Sequence, residues 1–129
     1  MIDSHCHLEY PAFDKDLPQV IENAKKAGVK AVVNAGNKPS DNRKVLAMQK
    51  KIGSNFFKAV LSLSPHFAPQ AKESLDEELR FIESNKNNIV GIGETGLDFY
   101  HFEKPEDQKI QKKAFEAFLQ LAESLDKPV

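Results

Sequence analysis

The sequence predicts an α/β protein built on a parallel sheet, and three observations carry that prediction. Short apolar, β-branched runs alternate with stretches of helical periodicity, at intervals of roughly thirty residues. The apolar runs are mostly continuous rather than alternating, as in strands buried on both faces. The residues with chemical potential collect where those runs end.

The first run, Met1-Ile2-Asp3-Ser4-His5-Cys6-His7, reads as a short strand. A strand sends alternate side chains to the same face, so Asp3, His5 and His7 share one face and Ile2, Ser4, Cys6 and Leu8 the other. From Asp14 to Gly28, Leu17, Val20, Ile21, Ala24 and Ala27 follow the spacing of an amphipathic helix, with Pro18 in its first turn and Gly28 at its end. Val29 to Ala35 is a β-branched strand closed by Gly36. Ser40 or Asp41 can cap a second helix carrying Val45, Leu46 and Met48 as far as Gly53. Phe56 to Leu63 reads as a third strand, stopped by Pro65, and a third helix from about Ala71 to Asn85 presents Leu75, Leu79, Phe81 and Ile82. Ile89 to Glu94 is the fourth strand. A last helix from about Pro105 to Leu125 carries Ile110, Phe115, Phe118, Leu119 and Leu121, and Lys127-Pro128-Val129 looks like the start of a fifth strand.

Successive βα units imply a parallel sheet with right-handed crossovers, either an open doubly wound sheet or part of a (β/α)8 TIM barrel. The polar residues favour the barrel. Asp3, His5 and His7 end strand one, Ser64 and His66 follow strand three, and Glu94 and Asp98 follow strand four. Barrels place their chemistry at these C-terminal strand ends. A closed barrel needs at least ~200 residues, so the 129 residues form a single unit amounting to its first half.

Hydrophobic residues at 40% and charged residues at 29% are proportions that fold, not those of a disordered chain. A net charge of −1 supplies no general attraction to nucleic acid or membrane, so any such contact must be local. No apolar run approaches the ~20 residues that span a bilayer. The first strand leaves no room for a signal peptide, and the single cysteine fits a reducing compartment, so a cytoplasmic location is expected.

Two constellations carry chemistry. His5 and His7, two residues apart on a strand, can both reach one metal ion, and Asp3 can orient them. A hydrogen-bonded pair of core histidines would give the same pattern. Gly91-Ile92-Gly93-Glu94-Thr95-Gly96-Leu97-Asp98 brings a carboxylate out of a buried strand, where it is costly unless paired or metal-bound. A capping or phosphate-binding loop is the plainer interpretation, but the segment lacks the GxGxxG spacing, and an anion site would not place Glu94 at its centre. Cys6 reads as a packed small residue, Phe56-Phe57 as core, the lysine pairs as solvated helix faces, and Tyr100 and His101 as loop residues.

Asp3-Ser4-His5-Cys6-His7, with Gly93-Glu94-Thr95-Gly96-Leu97-Asp98-Phe99-Tyr100 some ninety residues on, resembles the TatD-type metal-dependent hydrolases of the amidohydrolase superfamily. Gln108 to Ala122 followed by Lys127-Pro128-Val129 is similar as well. The resemblance implies a (β/α)8 barrel with metal-dependent deoxyribonuclease activity, of which this sequence supplies the N-terminal half. It implies His5 and His7 as metal ligands, Glu94 as a ligating and catalytic carboxylate, and Asp3 as support behind the ligands. Leu63-Ser64-Pro65-His66 aligns with a glycine-x-histidine-proline-histidine signature in which Ser64 stands at the first histidine. Ser64 and His66 are thereby implied at the substrate, with His66 the stronger contact because a hydroxyl cannot replace an imidazolium on a phosphate. A plain loop histidine fits position 66 equally well. The family's further histidines and its last aspartate lie on strands beyond Val129.

The expected chemistry is phosphodiester hydrolysis by water activated on one or two divalent ions, zinc, manganese or magnesium, with single-stranded DNA or DNA ends as substrate. Three other readings fit the sequence: an amidohydrolase acting on a small amide or ester, a phosphoesterase of the polymerase-and-histidinol-phosphatase type, and a non-catalytic half barrel. The GETGLD segment argues against the second. The chain alone is expected to be inactive, and open edges at strands one and four to favour self-association.

Overall fold

A computed structural model describes residues 1–129. Four parallel strands form one sheet in the order of the chain: β1 (Ile2–Cys6), β2 (Ala31–Ala35), β3 (Phe57–Leu61) and β4 (Gly91–Ile92). Between and after them lie α1 (Leu17–Lys26), α2 (Pro39–Ile52), α3 (Leu75–Ser84) and α4 (Pro105–Ser124), with single 3-10 turns at Pro11–Phe13, Lys72–Ser74 and Lys86–Asn88. A parallel strand order that never reverses, with the right-handed crossovers usual for such units, puts the helices on one side of the sheet. This is the barrel-type half of the sequence alternatives, with no switch point of a doubly wound sheet.

The register is regular from β2 to β3, where Val32, Val33, Asn34 and Ala35 face Phe57, Lys58, Ala59 and Val60, and β4 continues it with Gly91 beside Val60. Only β1 is irregular. Asp3 pairs with Val32 but Cys6 with Asn34, so the strand slips against β2 just where the histidines begin. The core lies between the sheet and α2, α3 and α4, where Phe57, Leu61, Leu63, Ile82, Ile92 and Phe118 pack in one apolar cluster. Phe118 has no exposed surface. Truncating it to Ala should cost about 3–5 kcal/mol through lost burial and an unfilled cavity. Urea unfolding followed by circular dichroism reads this directly, and a loss under about 1 kcal/mol would place Phe118 outside the core.

Several predicted elements are shorter than the sequence suggested. The first helix begins at Leu17, because residues up to Asp16 form turns with Phe13 and Asp14 bonded back to Tyr10 and Pro11. The fourth strand is reduced to two residues, although Val90 and Gly93 still donate to Ala59 and Leu61 of β3. Gly91 is tight: a Cβ there would lie 3.0 Å from the Pro128 carbonyl oxygen and 3.3 Å from Val60. β1 is exposed along most of its length, and Ile2, expected to face a packed layer, is 63% exposed because β2 is its only neighbouring strand. The edge of β4 is not bare as expected. Ile92 N–H donates to Pro128 O at 2.9 Å, which sets the last residues beside β4 in the place of a next strand. No helix is long and apolar enough to cross a membrane.

Candidate metal centre

His5 and His7 leave the end of β1 and Glu94 follows β4, so the two edges of the sheet deliver one cluster. Their nearest atoms form a small triangle. His5 Nε2 lies 3.1 Å from His7 Nε2 and 3.1 Å from Glu94 Oε2, and His7 Nε2 lies 3.6 Å from the same oxygen. An ion bound at roughly 2.0–2.2 Å with angles between right and tetrahedral needs donor separations of about 2.8–3.6 Å. Two imidazoles and one carboxylate at these distances fit such an ion. The cluster opens onto a cleft of about 540 Å³ on the inner face of the sheet, bordered by Val33, Val60 and Pro128.

His7 is the anchored member. Its Nδ1 is 3.0 Å from the Ala35 carbonyl oxygen and 3.1 Å from Glu9 Oε1. Both partners accept only, so Nδ1 carries the proton and Nε2 turns a lone pair toward Glu94 and His5. The ring also stacks on Tyr10 at 5.1 Å. Glu9 is a buried carboxylate with 1% side-chain exposure, and its Oε2 accepts from Asn34 Nδ2 at 2.6 Å. Asn34, also buried, accepts the Leu8 N–H at 2.7 Å and so ties the end of β1 to β2. A metal-binding imidazole backed by a carboxylate is oriented and made a stronger donor.

Burial and the nearby negative charges of Asp3 and Glu9 push the Cys6 thiol up to about 12. It donates weakly to Val33 O at 3.5 Å and belongs to packing, as expected of it. The Tyr10 hydroxyl is also raised, first by desolvation and then by Glu9.

The structure therefore gathers His5, His7 and Glu94, and redistributes the remaining candidates. Asp3 makes no contact with an imidazole nitrogen; its carboxylate accepts the backbone N–H of His5 at 3.1 Å and shapes the strand end. The orienting carboxylate is Glu9, which the sequence reading passed over. The spacing alone offered a hint, since Glu9 follows His7 by two residues, but it lies in the turn after β1, and that turn brings its carboxylate to the ring. Ser64 lies inside the fold. It is 2% exposed, its N–H donates to Asn37 O, and its carbonyl closes the following turn onto Phe67 and Ala68. His66 is exposed at the same end of the sheet, with Nε2 3.4 Å from Asp98 Oδ2. Gln111 of α4 was also missed. It is buried, accepts the Asp98 N–H at 2.8 Å and donates to Pro65 O at 3.1 Å, which joins the loop after β3 to the loop after β4.

The family profile described as TatD related DNase matches residues 2–129. Among individual proteins, the chain is 34% identical over 128 residues to the uncharacterized metal-dependent hydrolase MJ1582 of Methanocaldococcus jannaschii, covering 99% of this chain and 48% of that protein. It is 35% identical over 138 residues to the deoxyribonuclease TATDN3 of Homo sapiens, covering 100% and 50% respectively. The 3'-5' ssDNA/RNA exonuclease TatD of Pectobacterium atrosepticum is 32% identical over 130 residues, covering 100% and 48%. The crystal structure of the TatD homologue YJJV from Escherichia coli superposes with a TM-score of 0.84 at 27% identity, covering 100% of this chain and 49% of that one. The chain spans about half the length of the relatives it matches. It belongs to the TatD-related DNase family.

Proposed function

We propose that this chain supplies the His5–His7–Glu94 part of the active site of a metal-dependent deoxyribonuclease. The observation that carries the reading is the triangle of two Nε2 atoms and one carboxylate oxygen with sides of 3.1, 3.1 and 3.6 Å. A divalent ion held there would bring the pKa of a bound water toward neutrality and polarise a phosphoryl oxygen. His5 and His7 contribute neutral donors, the latter fixed in its tautomer by Ala35 and Glu9. Glu94 contributes the negative charge that offsets the cation, and is the catalytic carboxylate of this half of the site. Mixed imidazole and carboxylate donors suit zinc or manganese better than magnesium.

The substrate proposed is DNA, single-stranded or at its ends, in keeping with the exonuclease name of the Pectobacterium relative. His66 is the proposed contact to it, an exposed imidazole at the metal-bearing end of the sheet. The bare outer edge of β1 supports self-association of the half barrel. A lone cysteine kept as a thiol suits a cytoplasmic location.

Labelled single-stranded DNA is the probe that tests the reading. A protein carrying this segment together with the rest of the fold should digest it only with divalent metal, and Glu94→Ala should abolish digestion. Metal-dependent cleavage of small amides or esters with DNA left intact would overturn the substrate assignment. The 129-residue chain alone should bind metal and leave DNA uncut, since it brings three donors of one cluster. Digestion by it, lost on Glu94→Ala, would refute that expectation.

A further inference from the structure

A second constellation of metal-binding side chains lies on the loops after β3 and β4, and it shares no residue with the first. We infer that His66, Asp98 and His101 form a separate site for a zinc-like divalent cation. His101 Nδ1 lies 2.7 Å and His66 Nε2 3.4 Å from the same carboxylate oxygen, Asp98 Oδ2. All three donor atoms fall within 4.8 Å of one another. Asp98 Oδ1 is already used, accepting the His101 backbone N–H at 3.0 Å, which leaves Oδ2 directed between the two rings.

Donors drawn from two loops bind an ion well only if the loops are held in place beforehand. Gln111 does this. Its buried amide bonds the residue preceding His66 through Pro65 O, and bonds Asp98 itself through the backbone N–H. Aromatic neighbours restrict the imidazoles further: the Phe102 ring stands edge-on to His66 at 5.7 Å and Tyr100 edge-on to His101 at 4.8 Å.

An ion at about 2.0–2.2 Å from each donor asks for separations near 2.8–3.6 Å. The His66–Asp98 distance already meets this, and the His101–Asp98 distance has to open slightly, which the 59% exposed His101 side chain can accommodate. Two imidazoles with one carboxylate select zinc-like ions over magnesium or calcium, which prefer oxygen donors. Because His66 and His101 are more than half exposed, the remaining coordination positions open to solvent. The bound ion would fasten the two loops to each other, and His66 would then meet an anionic substrate through the ion rather than directly. Only that last consequence rests on the nuclease reading.

The test is zinc stoichiometry by equilibrium dialysis and elemental analysis on the 129-residue chain, with folding checked by circular dichroism. His66→Gln and His101→Gln together keep side-chain hydrogen bonding while removing good ligands, and Asp98→Asn does the same for the carboxylate. His5→Ala with His7→Ala removes the first centre. The expected result is two zinc ions per wild-type chain and one in either class of variant. One ion that disappears with His66→Gln and His101→Gln, but persists without His5 and His7, would support this site and remove the first. One ion lost only with His5 and His7, or unchanged stoichiometry in His66→Gln/His101→Gln and in Asp98→Asn, would overturn the inference.

Discussion

Replacing Gly36 with alanine is expected to destabilise the fold by about 3–5 kcal/mol, combining steric overpacking with the disruption of a buried polar network. A Cβ at this position would collide with Asn42 Oδ1 and lie 3.0 Å from its Cγ and 3.1 Å from its backbone Cα. Asn42 has nowhere to go. It is fully buried near the start of α2, with Nδ2 donating to Ser62 O at 2.8 Å and to Glu78 Oε1 at 2.7 Å. Glu78 on α3 is itself buried, and its other oxygen accepts from Arg43 at 2.8 Å. Pushing Asn42 aside therefore removes a hydrogen bond from a buried carboxylate and a strand-end carbonyl together. Urea denaturation at constant m-value is the measurement. A loss under about 1 kcal/mol would mean that α2 can shift away from β2 without cost. Pairing Gly36→Ala with Asn42→Ala should be less damaging than the sum of the two, because the second change removes the atoms that the first collides with.

Glu9→Gln is expected to weaken zinc binding at the His5–His7–Glu94 centre by about 10–100-fold, as does loss of other carboxylates that orient metal-binding histidines. The substitution keeps the volume but changes the hydrogen-bond inventory. The two partners of Glu9, His7 Nδ1–H and the Asn34 amide, are both donors. A glutamine can offer its oxygen to only one of them and must turn its own NH2 toward the other. With the oxygen toward Asn34, the NH2 opposes His7 Nδ1–H and leaves Ala35 O as its sole acceptor; in either orientation the negative charge behind the ring is lost. Zinc titration by calorimetry reads the affinity, and histidine nitrogen shifts in NMR read the tautomer. Unchanged affinity with the His7 tautomer intact would reduce Glu9 to a structural residue. An unchanged affinity in Asp3→Asn, run alongside, is expected because Asp3 touches only a backbone N–H.

What could be read beforehand depended on range. β2 and β3 were legible because Val32, Val33, Ala59 and Val60 belong to continuous apolar runs, a local signal. His5, His7 and Glu94 were named together through the family resemblance, and they do lie together, since the C-terminal strand ends of a parallel sheet share one end of it. The length of β4 was not legible, since Gly91 and Gly93 carry no side-chain periodicity and its pairing is set by Val60 and Pro128 across the sheet. The burial of Ser64 was not legible, because it comes from the folded turn onto Asn37, Phe67 and Ala68. Glu9, Asn42, Glu78 and Gln111 escaped notice for a shared reason. A polar residue inside the fold is indistinguishable in sequence from a solvated one until its partners, which lie far along the chain, are known.

The bonds of Gln111 have a consequence for motion. One side chain on α4 holds Pro65 and Asp98 at once, so the loops after β3 and β4 cannot swing separately without stranding a buried amide. Opening at this end of the sheet becomes a concerted event, and its free-energy cost is set by a residue that faces away from solvent. Loop mobility here is governed from the core.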